Sequence, residues 1–319
     1  MHRTRASIVL ATSLALALVW SWTATSLVAI EPVVTGAGDQ WMPSANDTYI
    51  AYASWTRDTG YRALAEPVDG GTPLRLNSAG TSGVTGAIDP GTDRVLYQEW
   101  TRRGSGLFLY DLETRDRSRA PGVNSPDWEW YPLLSSTFIT FQRDRNVRGT
   151  WYTSFFVYHR QSEALRKLGT WRSNAVGLFN GSVGDRYIAY TQCTSRNCAA
   201  YLYDWEMNDT RRVPTENDRA QYAPVVDEAN GTIYFTRSAY VWRTDSKCGV
   251  AANIWRIALD LTGEPEKIVD LPDGIDTGWT ASITSSGITG EMDLYIERWD
   301  CRRTAADVYV ARGVDSGPV

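Results

Sequence analysis

Histidine is almost missing from this chain: 319 residues carry two, and setting aside His2 at the N-terminus leaves His159 alone. His159 aligns with Asp111 and Asp204 at the end of a third strand and reads as a turn residue, so with no second histidine neither a Ser-His-Asp triad nor a histidine-based metal centre is expected. Lysine is nearly as scarce, with Lys167, Lys247 and Lys267 the only three among 32 basic residues. No Gly-rich loop ends in Lys-Ser or Lys-Thr, which removes the common phosphate cradle. A basic complement made of arginine points to a GC-rich bacterial genome. The sequons at Asn46, Asn180, Asn208 and Asn230 then read as turn composition, not glycosylation sites. Beyond the first 29 residues no helical period of useful length occurs. The four cysteines lack a zinc spacing, so neither metal nor cofactor is expected.

The N-terminus has the layout of a secretory signal. Arg3 and Arg5 precede an apolar stretch from Ile8 to Trp22, and small residues follow at Ala24, Ser26 and Ala29. Cleavage is expected near 26 or 29, leaving residues 30–319 as one domain in a secreted or extracytoplasmic location. The apolar stretch is shorter than the ~20 residues a spanning helix needs, so the mature form is expected without a membrane span; an uncleaved anchor is the alternative. Without Arg3 and Arg5 the chain holds 30 basic against 37 acidic residues, a balance that recruits neither nucleic acid nor anionic lipid by bulk charge. In an oxidising compartment the cysteines are expected to pair. Cys193 and Cys198 flank one tight turn and are assigned to each other, which leaves Cys248 with Cys301.

What the chain does contain is a repeat. The triplets Ile50-Ala51-Tyr52, Val95-Leu96-Tyr97, Ile139-Thr140-Phe141, Ile188-Ala189-Tyr190, Ile233-Tyr234-Phe235 and Leu294-Tyr295-Ile296 recur with spacings of 45, 44, 49, 45 and 61. Short strands at a period in the forties predict an all-β, six-bladed propeller of four-stranded antiparallel blades. In the fourth blade the strands are read as Ala175–Phe179, Arg186–Gln192, Ala199–Tyr203 and Thr210–Val213. After the sixth third strand, Asp307–Ala311, the tail with Gly313, Gly317 and Pro318 is a poor strand. Ile30–Thr35 is therefore expected to supply the outer strand of the sixth blade and close the ring.

Innermost strands open on Gln40-Trp41-Met42-Pro43, Glu129-Trp130-Tyr131-Pro132 and Gln221-Tyr222-Ala223-Pro224. With these starts, the polar turns and third strands ending in Tyr110-Asp111 and Tyr203-Asp204, the chain from about residue 30 to 312 resembles the TolB-type propeller repeat, a relative of WD-type blades. The turns depart from that repeat, since Pro-Asp-Gly is nowhere intact. The resemblance implies the propeller fold. It leaves activity open, because such propellers serve in translocation systems, in peptidases and in carbohydrate-active enzymes.

Candidate chemistry divides in two. Five residues after the start of the triplet, blades one, two and six carry Trp55, Trp100 and Trp299, each leading into arginine: Arg57, Arg102 and Arg103, Arg302 and Arg303. These loops share a face with the starts of innermost strands, so Trp41, Trp128, Trp130, Tyr222 and Trp279 are expected on the same side. Trp and Arg are enriched in binding hot spots, and the first expectation is a monomeric, non-enzymatic binding module for a protein or glycan held there, with the 240–252 insertion standing over that face. The alternative is a polysaccharide-directed hydrolase or lyase using carboxylates at the central opening, where Asp127, Glu129 and Asp276 enter innermost strands. His159, Asp89 and Asp227 are read as turn residues.

Overall fold

In a strand the first and third residues of a triplet point to one side and the second to the other. Both sides of these triplets are almost wholly apolar, so each second strand must be covered on both faces. A ring of blades satisfies that requirement.

The computed structural model describes residues 30–315 apart from 37, 90, 103, 173–175, 195–196, 216–219, 239–252, 270–274, 286–290 and 301–304; at 30, 176–180, 238, 275–285, 291–292, 296–300, 305–306 and 315 it describes backbone only. The strand β1 (Ile30–Val34) comes first. The first blade is β2 (Asp39–Ala45), β3 (Tyr49–Thr56), β4 (Gly60–Pro67) and β5 (Leu74–Arg75), and the second is β6 (Ser82–Ile88), β7 (Arg94–Thr101), β8 (Gly104–Asp111) and β9 (Arg117–Arg119). The third is β10 (Trp128–Leu134), β11 (Phe138–Val147), β12 (Thr150–His159) and β13 (Leu165–Arg172). The fourth is β14 (Val176–Val183), β15 (Tyr187–Thr194), β16 (Cys198–Asp204) and β17 (Asp209–Arg212). The fifth is β18 (Ala220–Asp227), β19 (Thr232–Ser238), β20 (Asn253–Ala258) and β21 (Glu266–Val269). The sixth sheet has the order β1, β24 (Ala305–Asp315), β23 (Glu291–Asp300), β22 (Ile275–Ser285), so the first strand in sequence is the outer strand of the last blade.

That closure matches the expectation. Ile30 pairs with Ala311 and Pro32 with Tyr309, and Pro32 is tolerated because an outer strand has a free edge. The C-terminal segment differs from its expectation, since β24 runs on to Asp315. Asp293 makes this possible: it pairs with Arg312 at 2.8 Å and accepts the N–H of Gly313, which has φ +62°.

Each triplet is the joint between blades. Val95 and Tyr97 pack with Ala51, Ala63 and Leu76 of the first blade. Ile139 and Phe141 meet Leu96 and Leu107 of the second, and Ile188 and Tyr190 meet Phe155 and Val157 of the third. Ile233 and Phe235 lie on Ala189 and Leu202 of the fourth. Ile50 and Tyr52 join Val308 and Val310 of the sixth blade across the closure. Burial of one such side chain contributes ~1.5–3 kcal/mol, and the ring repeats it at every joint.

The aromatic-x-Pro motif marks a bulge. Pairing of β2 with β3 skips from Trp41 to Ser44, of β10 with β11 from Trp130 to Leu133, and of β18 with β19 from Tyr222 to Val225. The middle residues Met42, Tyr131 and Ala223 take φ of +53°, +48° and +43°. A left-handed residue followed by a proline with no N–H ends the ladder locally and re-aims the aromatic before it. In the second blade Gly86 fills the bulge, and a Cβ there would lie 2.0 Å from the Pro132 carbonyl oxygen of the next blade.

One of the two expected disulfides falls on described residues. Cys193 and Cys198 are bonded, facing each other across β15 and β16. Thr194 N–H donates to the Asn197 carbonyl just beyond them, so the cysteines occupy a non-hydrogen-bonded pair, the position at which antiparallel Cα atoms come closest. Cys248 and Cys301 lie outside the described residues.

Candidate binding face

Alternation along β10 turns Trp128 and Trp130 to one side and Glu129 to the other. The two indoles stack with centroids 5.7 Å apart and planes 13° from parallel. Ser105 ties this strand to the second blade: its hydroxyl donates to the Glu129 carbonyl at 3.1 Å and accepts the Glu129 N–H at 2.9 Å. Ser105 itself pairs with Trp100 across β7 and β8, so the bond sets Trp100 beside Trp130, with centroids 6.1 Å apart. In the first blade Trp55 faces Tyr61 across the β3–β4 hairpin. The Tyr61 ring then bridges blades, 5.5 Å from Trp100, 5.7 Å from Trp41 and 6.4 Å from Trp55.

The result is an unbroken run of rings over three blades, Trp41 and Trp55 to Tyr61, Trp100, Trp130 and Trp128. Trp55 at 37% and Tyr61 at 42% exposure are open to solvent, as is the bulge residue Tyr131 beside them, while Trp41, Trp100, Trp128 and Trp130 are half-buried. The Tyr131 pKa is raised, by desolvation first and then by the nearby Asp144 and Tyr61. Asp144, which accepts the Thr153 hydroxyl at 2.6 Å, is itself raised by burial.

Of the residues singled out from sequence, Trp41, Trp55, Trp100, Trp128 and Trp130 therefore come together. Arg57 and Arg102 are exposed in the turns two residues beyond Trp55 and Trp100. Guanidinium stacking among the described residues occurs elsewhere, as Arg117 over Phe108, Arg143 over Phe156 and Arg166 over Trp205. Tyr222 stands apart from the run, packed on the Cys193–Cys198 bridge and Ala220. Trp279 and Trp299 are described as backbone only, in β22 and β23, and Arg103, Arg302, Arg303 and the 240–252 insertion lie outside the described residues. Sequence reading missed Tyr61 and Tyr131. The signal for Tyr61 was its place opposite Trp55 across a short turn; for Tyr131 there was none beyond its exposure at a bulge.

The carboxylates have structural employment. Glu129, a candidate carboxylate for the central opening, is fully buried: one oxygen accepts the N–H and hydroxyl of Ser125 and pairs with Arg143 at 3.1 Å. Burial raises its pKa against the pull of Ser125 and Arg143. Asp127 is half-buried before β10, and Asp276 is described as backbone only. Asp89 accepts Gly91 N–H and pairs with Arg160 at 2.9 Å, and Asp227 accepts both the N–H and the side-chain amide of Asn230. At the opposite end of the ring a funnel of about 300 Å³ is walled by small and apolar inner-strand residues such as Ala87, Leu133 and Val225. Its rim carboxylates serve turns: Glu228 accepts the N–H groups of Arg186 and Tyr187 at 2.9 and 2.7 Å, and Asp185 accepts the hydroxyls of Thr137 and Ser136. His159 has the place that Asp111 and Asp204 hold in their blades. Its Nδ1 accepts the Ser162 N–H at 3.1 Å, as Asp204 accepts that of Met207.

Solved structures share this architecture at low identity. TolB from Acinetobacter baumannii superposes with a TM-score of 0.51 and 12% identity over 85% of this chain. The chain has the TolB-like propeller fold. It spans 65% of that TolB, whose remainder it does not match. A prolyl endopeptidase aligns with a TM-score of 0.51 and 14% identity over 90% of this chain and 43% of its own. An oligogalacturonate lyase aligns at 0.52 and 10% over 88% of this chain and 81% of its own. A TolB protein, a peptidase and a lyase thus share the ring, and at these identities the likeness speaks for the fold alone. No protein-family model matches the chain, and no curated protein matches it in sequence.

Proposed function

We propose that this protein is an extracytoplasmic, non-enzymatic binding module whose ligand rests on the aromatic face of blades one to three. The carrying observation is the continuous contact from Trp55 through Tyr61, Trp100 and Trp130 to Trp128, with Trp55 and Tyr61 exposed. Large rigid rings supply contact area at little entropic cost on binding. Among the described carboxylates, Glu129 is committed to Arg143, Asp89 to Arg160 and Glu228 to a turn, which supports binding over catalysis. The Cys193–Cys198 bridge fits an oxidising compartment. No helix among the described residues is long and apolar enough to cross a membrane.

The test is to capture partners from an extracytoplasmic fraction with the purified protein and with Trp55→Ala and Trp100→Ala. Each variant should weaken capture by ~1–2 kcal/mol or more while melting within a few degrees of the parent. Large stability losses with unchanged affinity would make these rings packing residues and refute the proposal.

A further inference from the structure

The charges around the aromatic run differ from those of the rest of the molecule. The chain as a whole carries a net charge of −5. On the face where the rings lie, the exposed arginines are Arg57, Arg102, Arg145 and Arg148, against Asp58 exposed and Asp39, Asp127 and Asp144 half-buried. On the opposite face exposed acids outnumber exposed bases, with Asp69, Glu113, Asp116, Glu163 and Glu264 against Arg94 and Arg115. Arg57 and Arg102 hold equivalent places, each two residues beyond a tryptophan of the run. Blades one and two therefore present the same unit twice, a tryptophan followed two residues on by an exposed arginine. Arg145 and Arg148 stand at the other end of the run on the β11–β12 hairpin, whose ten-residue strands are longer than the second and third strands of blades one and two. None of the four takes part in a described ion pair with an acid of its own chain.

Resting on the binding-face reading, we infer that the ligand is an anionic polysaccharide of the polyuronate class. Two chemistries must be met together. Ring faces favour a partner with flat patches of C–H, which pyranose rings offer and a glycerol- or phosphate-chain polyanion does not. A guanidinium fork favours a planar carboxylate, which it grips by two parallel hydrogen bonds. A sugar ring bearing a carboxylate satisfies both in one repeat unit, and a polymer of such units repeats the match from blade to blade. Neighbouring ring planes tilt by 49–52° from Trp55 to Trp130, so the run suits a chain that twists from unit to unit more than a flat ribbon.

The experiment is a titration of the purified full chain with alginate, with carboxyl-reduced alginate of the same length, and with poly-glutamate. Alginate should bind, the reduced polymer at least tenfold more weakly, and poly-glutamate not measurably. Arg57→Gln with Arg102→Gln, surface changes that leave packing untouched, should lower alginate affinity at least tenfold and flatten its salt dependence. Trp55→Phe with Trp100→Phe should retain most of the affinity that the alanine pair loses, and Asp116→Asn on the opposite face should change nothing. Equal binding of poly-glutamate would replace the polysaccharide by an acidic peptide, and equal binding of reduced alginate would remove the carboxylate; either overturns the inference. Absence of alginate binding while capture from the extracytoplasmic fraction stays dependent on Trp55 and Trp100 overturns the inference and leaves the binding face standing. Loss of that dependence overturns both.

Discussion

Gly86→Ala tests the packing that brings the inner strands together. An added Cβ would stand 2.0 Å from the Pro132 carbonyl oxygen, 2.8 Å from its carbon and 2.7 Å from Pro132 Cγ. Ordinary contact begins at about 3.5 Å, so a backbone of one blade must retreat from the next by roughly 1 Å or more. Over-packing of this kind costs about 1–3 kcal/mol, and the upper part of that range applies because the obstacle is main chain. Alanine also restricts the unfolded chain, which returns about 0.4–1 kcal/mol. The net expectation is a loss of ~2 kcal/mol, or about 4–8 °C in melting temperature. Gly91→Ala is the control: its nearest neighbour would be Asp89 Oδ1 at 3.8 Å, and it should be neutral or slightly stabilising. Thermal unfolding followed by circular dichroism separates the two. Equal melting temperatures for both variants would refute the close approach of β6 and β10.

Three further outcomes follow from particular contacts. Tyr61→Ala removes three ring contacts, each worth about 0.5–1.5 kcal/mol at most; with the ring 42% exposed, the expected loss is ~1–2 kcal/mol, which Tyr61→Phe should avoid and which should be coupled to Trp100→Ala in a double-mutant cycle. Additive effects in that cycle would break the run of rings. His159→Asp should keep the turn that His159→Ala loses, because Asp111 and Asp204 do the same work in their blades, and should forfeit only the ring contacts with Phe138 and Trp205; an aspartate variant melting no higher than the alanine variant would contradict the turn role. Asp204 is held below the usual carboxylate range by its hydrogen bonds from Arg186, with burial opposing. A depressed carboxyl stabilises above its unfolded pKa of about 3.9 and loses that contribution as pH falls through the folded value. Asp204→Asn should therefore cost roughly 1 kcal/mol at neutral pH, discounted because Arg186 is 37% exposed, and should melt with a flatter pH dependence below pH ~4; an unchanged profile would contradict the pairing.

Legibility in the sequence followed periodicity. The triplets located every blade because each is buried on both sides, and nothing but a neighbouring blade can cover two faces of one strand. Ring closure by Ile30–Val34 was legible from the lack of a good strand after the sixth repeat, although Gly313 misled: Asp293 holds it within β24. The aromatic-x-Pro motif was visible as a strand start, but its middle residue at positive φ was not, since Met, Tyr and Ala carry no bias toward that conformation. The same motif grouped Tyr222 with Trp41 and Trp130 by position, whereas tertiary packing gave Tyr222 to the disulfide. Equivalent places in a repeat share a backbone, not a neighbourhood. Glu129 was misjudged for the same reason: its place at a strand start says nothing of Arg143, which arrives from the adjacent strand.

Oxidative footprinting of the protein with and without its captured ligand tests the central claim most directly, because it reads the face itself. Trp55, Tyr61 and Tyr131 should be protected on binding, while Met207, 70% exposed on the opposite face, should oxidise at the same rate in both states. Protection of Met207 with Trp55 and Tyr61 still open would place the ligand on the acidic side and contradict the account.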